Sequence, residues 1–331
     1  MELSSASVLA FEFGVPCMLM LVLALSDAFG TRLTKRLILV VAAVQLIAVV
    51  FRPADYNTDT SAYDSYIDLL AGSSGNELLL LTKFEPLHLL LAVLTQDFRW
   101  WLIAENVVGL VLLWTLCRRT ARLETLAVVL GCALPLFSSS VRFGNGLLAV
   151  ACVLAIHQTE RGRMIVTTFV GGLTHVSLLM VGILQRRQWL PTALILLGFV
   201  AFALVDEDVR GRAGGGDEDE FKGAGLRSFL GCVMLMLYLR ARLPDYRHKL
   251  FTSDLLSALG VFLLSMLFFP VVNRWLILLM IVMAVDADAP LAKANLPRGK
   301  GGIAALALYA ALMLPFLYKL ATTWGAEALA G

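Results

Sequence analysis

The sequence predicts an all-α polytopic integral membrane protein, with about ten transmembrane helices, two short re-entrant or half-spanning segments, and a large outer loop after the second helix. Three observations predict it. Hydrophobic residues make up 59% of the 331 and charged residues only 16%; that is more apolar surface than one soluble core can bury, so lipid is the solvent. Apolar runs long enough to cross a hydrocarbon core, which takes about 20 residues, recur from end to end. Lysines and arginines gather between those runs, as they do in loops retained on the cytoplasmic side.

The expected spans are 8–25, 36–51, 100–117, 124–138, 143–157, 189–205, 226–240, 250–271, 274–287 and 301–320. Two shorter stretches, 86–95 and 164–184, are expected to half cross. On that layout five basic clusters come to one side, and both termini to the other. The clusters are Arg32/Lys35/Arg36, Arg118/Arg119/Arg122, Arg161/Arg163, Arg240/Arg242/Arg247/Lys249 and Lys293/Arg298/Lys300. Full crossings at both short stretches would scatter the clusters over two faces. Glu2 and the lack of a basic segment before the first apolar run point to a retained first span and not a cleaved signal peptide. With no internal repeat or heptad pattern, residues 1–331 read as a single transmembrane domain.

Two outer segments stand out. Residues 52–84 are polar, with a surface helix from Thr60 to Leu70 that is entered through Asn57-Thr58-Asp59 and ends near Gly72. Residues 206–225 hold Gly214-Gly215-Gly216 and Asp217-Glu218-Asp219-Glu220, a composition expected to solvate itself and stay mobile.

Several functions are excluded on composition. A net charge of +2 offers no basic face for nucleic acid. Cys17, Cys117, Cys132, Cys152 and Cys232 lie in apolar runs without paired spacing, so they read as small core residues and not as disulfides or zinc ligands. No cofactor or metal is expected. Phosphate-loop, dinucleotide and Gly-x-Ser-x-Gly patterns are missing. Asp286-Ala287-Asp288 is like the metal-binding Asp-x-Asp of nucleotide-sugar transferases, but it ends a span and reads as a solvated helix terminus.

Three arginines sit at outer ends of spans: Arg52, Arg142 and Arg274. A guanidinium buried in hydrocarbon without an anion costs a few kcal/mol, so each position asks either for an anionic partner or for a headgroup to snorkel to. Arg142 opens an inward-running helix after Ser138-Ser139-Ser140, where free backbone N–H groups and the positive dipole end would cradle phosphate. Asn273-Arg274 repeats the design after Pro270. Arg52 ends an outward-running helix, where the dipole already favours a cation.

The outer loop supplies Asp55, Asp59, Asp64, Asp68, Glu77 and Glu85. Asp64 and Asp68 share a helical face that solvation explains. Glu85 precedes Pro86 at the mouth of a short apolar segment; it suits acid–base work, and equally a helix start. His175, in Gly171-Gly172-Leu173-Thr174-His175, is either a functional intramembrane histidine or a core histidine bonded to a carbonyl. Tyr56, Tyr63 and Tyr66 suit stacking on sugar rings, and equally the membrane interface.

In order, these residues resemble the motifs of the EpsG family of exopolysaccharide polymerases, related in style to Wzy-type O-antigen polymerases. Arg52-Pro-Ala-Asp55-Tyr56-Asn-Thr-Asp59-Thr-Ser-Ala-Tyr63 is similar to the family's outer-loop entry, and Glu85-Pro86 to its Glu-Pro step. Arg142-Phe-Gly-Asn145-Gly-Leu-Leu-Ala149 is similar to its Arg-Gln-x-x-Ala helix start, Thr174-His175-Val-Ser177 to its Phe-His-x-Ser element, and Asn273-Arg274 to its late arginine. Phe143 stands where the family has Gln, and Thr174 where it has Phe.

The resemblance implies a metal-independent glycosyltransferase of the bacterial inner membrane that works at the periplasmic face in O-antigen, lipopolysaccharide or exopolysaccharide biosynthesis. It implies an undecaprenyl-pyrophosphate-linked oligosaccharide as substrate, with membrane lipid and a chain-length regulator as partners. Arg142 and Arg274 would bind pyrophosphate, with Arg52, Asp55, Tyr56, Tyr63 and Asn145 completing the substrate site. Glu85, Asp59 or His175 would be the base. Rival expectations are an O-antigen ligase or other lipid-sugar glycosyltransferase, and a lipid-linked-sugar transporter or flippase; the last would call for pseudo-symmetric halves, which the sequence lacks.

Overall fold

A computed structural model describes residues 5–53, 58–72, 85–156, 160–187, 193, 198, 218–246, 249–267, 272–294 and 301–330. Among these, the regular elements are all helical. In chain order they are α1 (Ser5–Ala24), α2 (Ser26–Val50), α3 (Thr58–Gly72), α4 (Pro86–Thr95), α5 (Phe98–Arg119), α6 (Leu123–Ser139), α7 (Val141–Ile156) and α8 (Glu160–Thr174). A 3-10 turn at Val176–Met180 runs into α9 (Val181–Leu184). Then come α10 (Glu218–Arg242), α11 (Lys249–Leu267), α12 (Asn273–Lys293) and α13 (Gly301–Ala330).

Five described helices are long and apolar enough to cross a membrane: α1, α2, α5, α12 and α13. Pro86–Thr95, Leu123–Leu136, Val141–Ile156 and Leu250–Met266 are apolar but shorter. The expected span 226–240 lies within α10, which is not among the five, and 189–205 lies outside the described residues apart from 193 and 198. Large apolar side chains on the outside of the bundle, among them Leu94 (70% exposed), Phe169 (65%) and Ile303 (65%), face what must be lipid. The chain is a membrane-embedded helical protein.

At the centre stand α6, α7 and α12, the last with two thirds of its most apolar stretch buried. α5 and α8 flank α7, α13 and α1 lie beside α6, and α10 and α11 pack on α12. Cross-contacts fix the directions. Asn145 near the start of α7 bonds Glu105 near the start of α5, so those two helices run parallel, with α6 between them in sequence running back. Arg274 at the start of α12 stacks on Phe143, and Asp288 at its other end accepts from the backbone N–H of Ala121 and Arg122. Thus α12 is parallel to α7.

The bundle therefore has two unlike ends. One gathers Lys35, whose Nζ donates to the Thr120 carbonyl at 2.5 Å, with Arg122–Glu124, Arg163–Asp286 and Arg187–Asp254. The other gathers the starts of α5, α7 and α12. α8 and α9 form a hairpin whose two roots, at Arg163 and Arg187, lie at the basic end and whose tip, at Thr174 and His175, reaches Glu85. The hairpin closes tightly: a Cβ on Gly171 would lie 2.8 Å from the Leu178 carbonyl oxygen, so only glycine lets the arms approach.

Three expectations need correcting. The acidic run is not wholly a mobile loop, because Glu218 begins α10. Asp286 and Asp288 are not a solvated terminus. Asp286 pairs with Arg163, and Asp288 accepts from two backbone N–H groups and from Thr125 Oγ1 at 2.8 Å. The outer surface helix exists as α3 but is not solvated all round, since Tyr63, Ile67 and Leu70 are buried against the core.

Candidate functional site

The site is assembled from helix ends. Glu85 N-caps α4 with extended backbone, yet its side chain makes no cap bond and instead reaches α7. Its Oε2 accepts from Arg142 Nη1 at 2.7 Å, both side chains keeping slight access (13% and 16%). A charge-assisted bond of this kind is among the stronger ones available to a side chain. The guanidinium also lies 4.9 Å from the ring of Tyr63, whose hydroxyl is 3.4 Å from Ser140 Oγ and whose ring is 5.1 Å from that of Trp101. α3 thus closes one side of the arginine.

His175 sits where α8 ends, in extended backbone, and caps the turn that follows. Its Nδ1 accepts from the Ser177 N–H at 3.3 Å and is 2.8 Å from Ser177 Oγ. A ring nitrogen that accepts carries no hydrogen, so the neutral ring bears its hydrogen on Nε2. That atom faces Glu85 Oε1 at 3.8 Å. Arg274, the second residue of α12, stacks on Phe143 at 5.1 Å, and Phe143 in turn presents its edge to His175 at 5.0 Å. Both Arg142 and Arg274 act electrostatically on His175.

The structure so brings together Glu85, Arg142, His175, Arg274 and Tyr63, from five separate elements. Arg52 is fully buried, not snorkelling, and its carbonyl accepts from Arg99 Nη1. Asn145 is wholly buried, with its amide nitrogen committed to the carbonyl of Glu105 at 2.8 Å and to Glu105 Oε2 at 2.7 Å. It therefore lines no open surface. Asp55 and Tyr56 lie outside the described residues; Asp59 belongs to α3, but its side chain lies outside them too.

Two residues that the motif reading passed over complete the centre. His88 and Glu105 have no exposure at all, and His88 Nδ1 lies 2.5 Å from Glu105 Oε1. His88 Nε2 meets the Thr174 carbonyl at 2.8 Å. A signal for both was present, since an ionisable residue inside an apolar segment marks a functional position by default. Among the described residues no group of three or more His, Cys, Asp or Glu is arranged to hold a metal ion. No family model, curated protein or solved structure matches the chain.

Proposed function

We propose that the chain is a polysaccharide polymerase of the bacterial inner membrane, which transfers glycan repeats from an undecaprenyl-pyrophosphate-linked donor to a lipid-linked acceptor at the periplasmic face. The gathering of Arg142 against Glu85, of Glu85 beside His175, and of Arg274 on the Phe143 ring that meets His175 supports this proposal. Two guanidinium groups beside helix N-termini suit a pyrophosphate, and the ordered likeness to EpsG-type motifs adds to it.

In the reaction a hydroxyl of the acceptor sugar attacks the anomeric carbon of the donor. The new C–O bond forms as the bond to pyrophosphate breaks, and the hydroxyl proton passes to a carboxylate. Arg142 and Arg274 offset the charge that develops on the leaving pyrophosphate. Glu85 is the preferred base over His175, because the hydrogen on His175 Nε2, the ring atom that faces Glu85 at 3.8 Å, leaves that atom unable to accept a proton. The Arg142–Glu85 ion pair is then the resting form: an arriving phosphate takes the guanidinium and leaves the carboxylate free to accept the proton.

The test is chain extension by the purified full-length protein, with an undecaprenyl-pyrophosphate-linked repeat in detergent. Arg142→Ala is expected to abolish extension without loss of expression, and Arg142→Lys to restore little, since a point charge lacks the planar fork. Wild-type extension by either variant would overturn the assignment. Transfer of finished glycan to lipid A core, with no growth of repeats, would make the protein a ligase.

A further inference from the structure

We infer that His88 and Glu105 are positioning residues, a buried tether that fixes the hairpin tip and with it His175. The geometry is two-tiered. Glu85 and His88 are three apart at the start of α4, and Arg142 and Asn145 three apart at the start of α7, so each pair lies on one helical face. The outer tier is Glu85, Arg142 and His175, which keep slight access. One turn deeper, His88, Glu105 and Asn145 are fully buried.

The inner tier joins every element that carries an outer-tier residue. Asn145 of α7 holds Glu105 of α5, Glu105 holds His88 of α4, and His88 holds the carbonyl of Thr174. That carbonyl belongs to the last turn of α8, where helix carbonyls lack partners of their own. The next residue is His175. A carbonyl only accepts, so His88 Nε2 must carry a hydrogen, and one further proton lies between His88 Nδ1 and the Glu105 carboxylate. Asn145 donates to the other oxygen of Glu105, which leaves that carboxylate no conformation in which it could release His88 without orphaning a buried group.

The tether's part in glycosyl transfer rests on the polymerase proposal; the tether itself does not. Its test is the rate at which diethyl pyrocarbonate modifies His175 in the detergent-purified full chain, followed by peptide mass spectrometry. The amide nitrogen of Gln reaches the place of His Nε2, and that of Asn the place of Nδ1. His88→Gln therefore keeps the Thr174 bond and is expected to leave the His175 rate within about two-fold of wild type. His88→Asn keeps only the Glu105 side and is expected to raise it about five-fold or more, as a carbonyl without its donor lets the tip move. Equal rates in the two variants would overturn the tether, since mere structural damage does not tell Gln from Asn.

Should His88→Asn fail to fold, wild-type protein with 15N-labelled histidine, studied in bilayers by solid-state NMR, decides the matter. Hydrogen on His88 Nε2 is expected, and hydrogen on Nδ1 alone would overturn the proposal. Where chain extension is present, His88→Asn should lower it about 10²-fold, the cost of a misplacement near 1 Å. Absence of extension in wild type would sink the polymerase proposal and leave the modification rates to judge the tether.

Discussion

Glu85 occupies the place on Arg142 that a phosphate would need, with a 2.7 Å bond. An internal anion competes with an external one, so removing its charge should help the ligand and harm the chemistry. Glu85→Gln is expected to tighten inorganic pyrophosphate binding about ten-fold, roughly 1.4 kcal/mol, while chain extension falls; isothermal calorimetry on the detergent-purified protein measures the first. Weaker binding would mean that Glu85 supports the anion site and does not compete with it. Much at this scale was visible beforehand: Glu85, Arg142, His175 and Arg274 each sit at a helix end within two residues of Pro86, Ser140, Ser177 or Asn273, and such residues announce ends. The pairing of Glu105 with His88 was hidden because no local pattern marks a partner that lies 17 residues away on another helix. Of the two readings of Arg52, the headgroup one fails, because the residue at the span end is completely buried.

Among the elements, the α8–α9 hairpin does the most to shape the site. The sequence shows two glycines and a histidine in an apolar stretch, enough to expect a break or a re-entry, and the chain does turn there. What the stretch could not show is how the arms are pinned, since the ion pairs of Arg163 with Asp286 and of Arg187 with Asp254 reach across 123 and 67 residues. Arg187 itself closes the second arm in a left-handed conformation, φ +48. Close approach of the arms makes a sharp prediction. Gly171→Ala pushes a methyl group into the Leu178 carbonyl, a backbone atom that cannot swing away, and should cost about 1–3 kcal/mol. Gly14→Ala, where the added atom meets nothing within 4 Å, should be neutral or slightly stabilising. Thermal unfolding of the two variants in one detergent compares them directly, and equal midpoints would show that the hairpin is looser than described.

For the whole molecule, the uneven ends are the informative feature. Lysines and arginines collect where α2 and α8 begin and α5 and α12 end, and that end should face the cytoplasm. In a Cys17→Ser background, the other cysteines being buried, a cysteine placed at exposed Ser65 in α3 should react with an impermeant maleimide on intact spheroplasts. One placed at exposed Asp245, in the turn Pro244–Tyr246 after α10, should react only after permeabilisation. The opposite pattern would invert the protein and put the arginines in the wrong compartment. Composition made the membrane class plain, yet counting spans from apolar length was less secure. Helices such as α6 and α7 sit so far inside the protein that they need not match the thickness of lipid.

That shortness matters physically. α4, unlike the largely buried α7, turns apolar side chains outward; it has 10 residues, so it rises only about 15 Å against a hydrocarbon thickness of about 30 Å. Leu90 and Leu94 turn outward from α4, so acyl chains meeting them would have to shorten or splay, which would thin the leaflet beside Glu85. A diphosphate carried on a membrane-anchored tail would slide down that slope sideways from the lipid, with its sugars still in water, and would not have to be lifted out of the bilayer to be used.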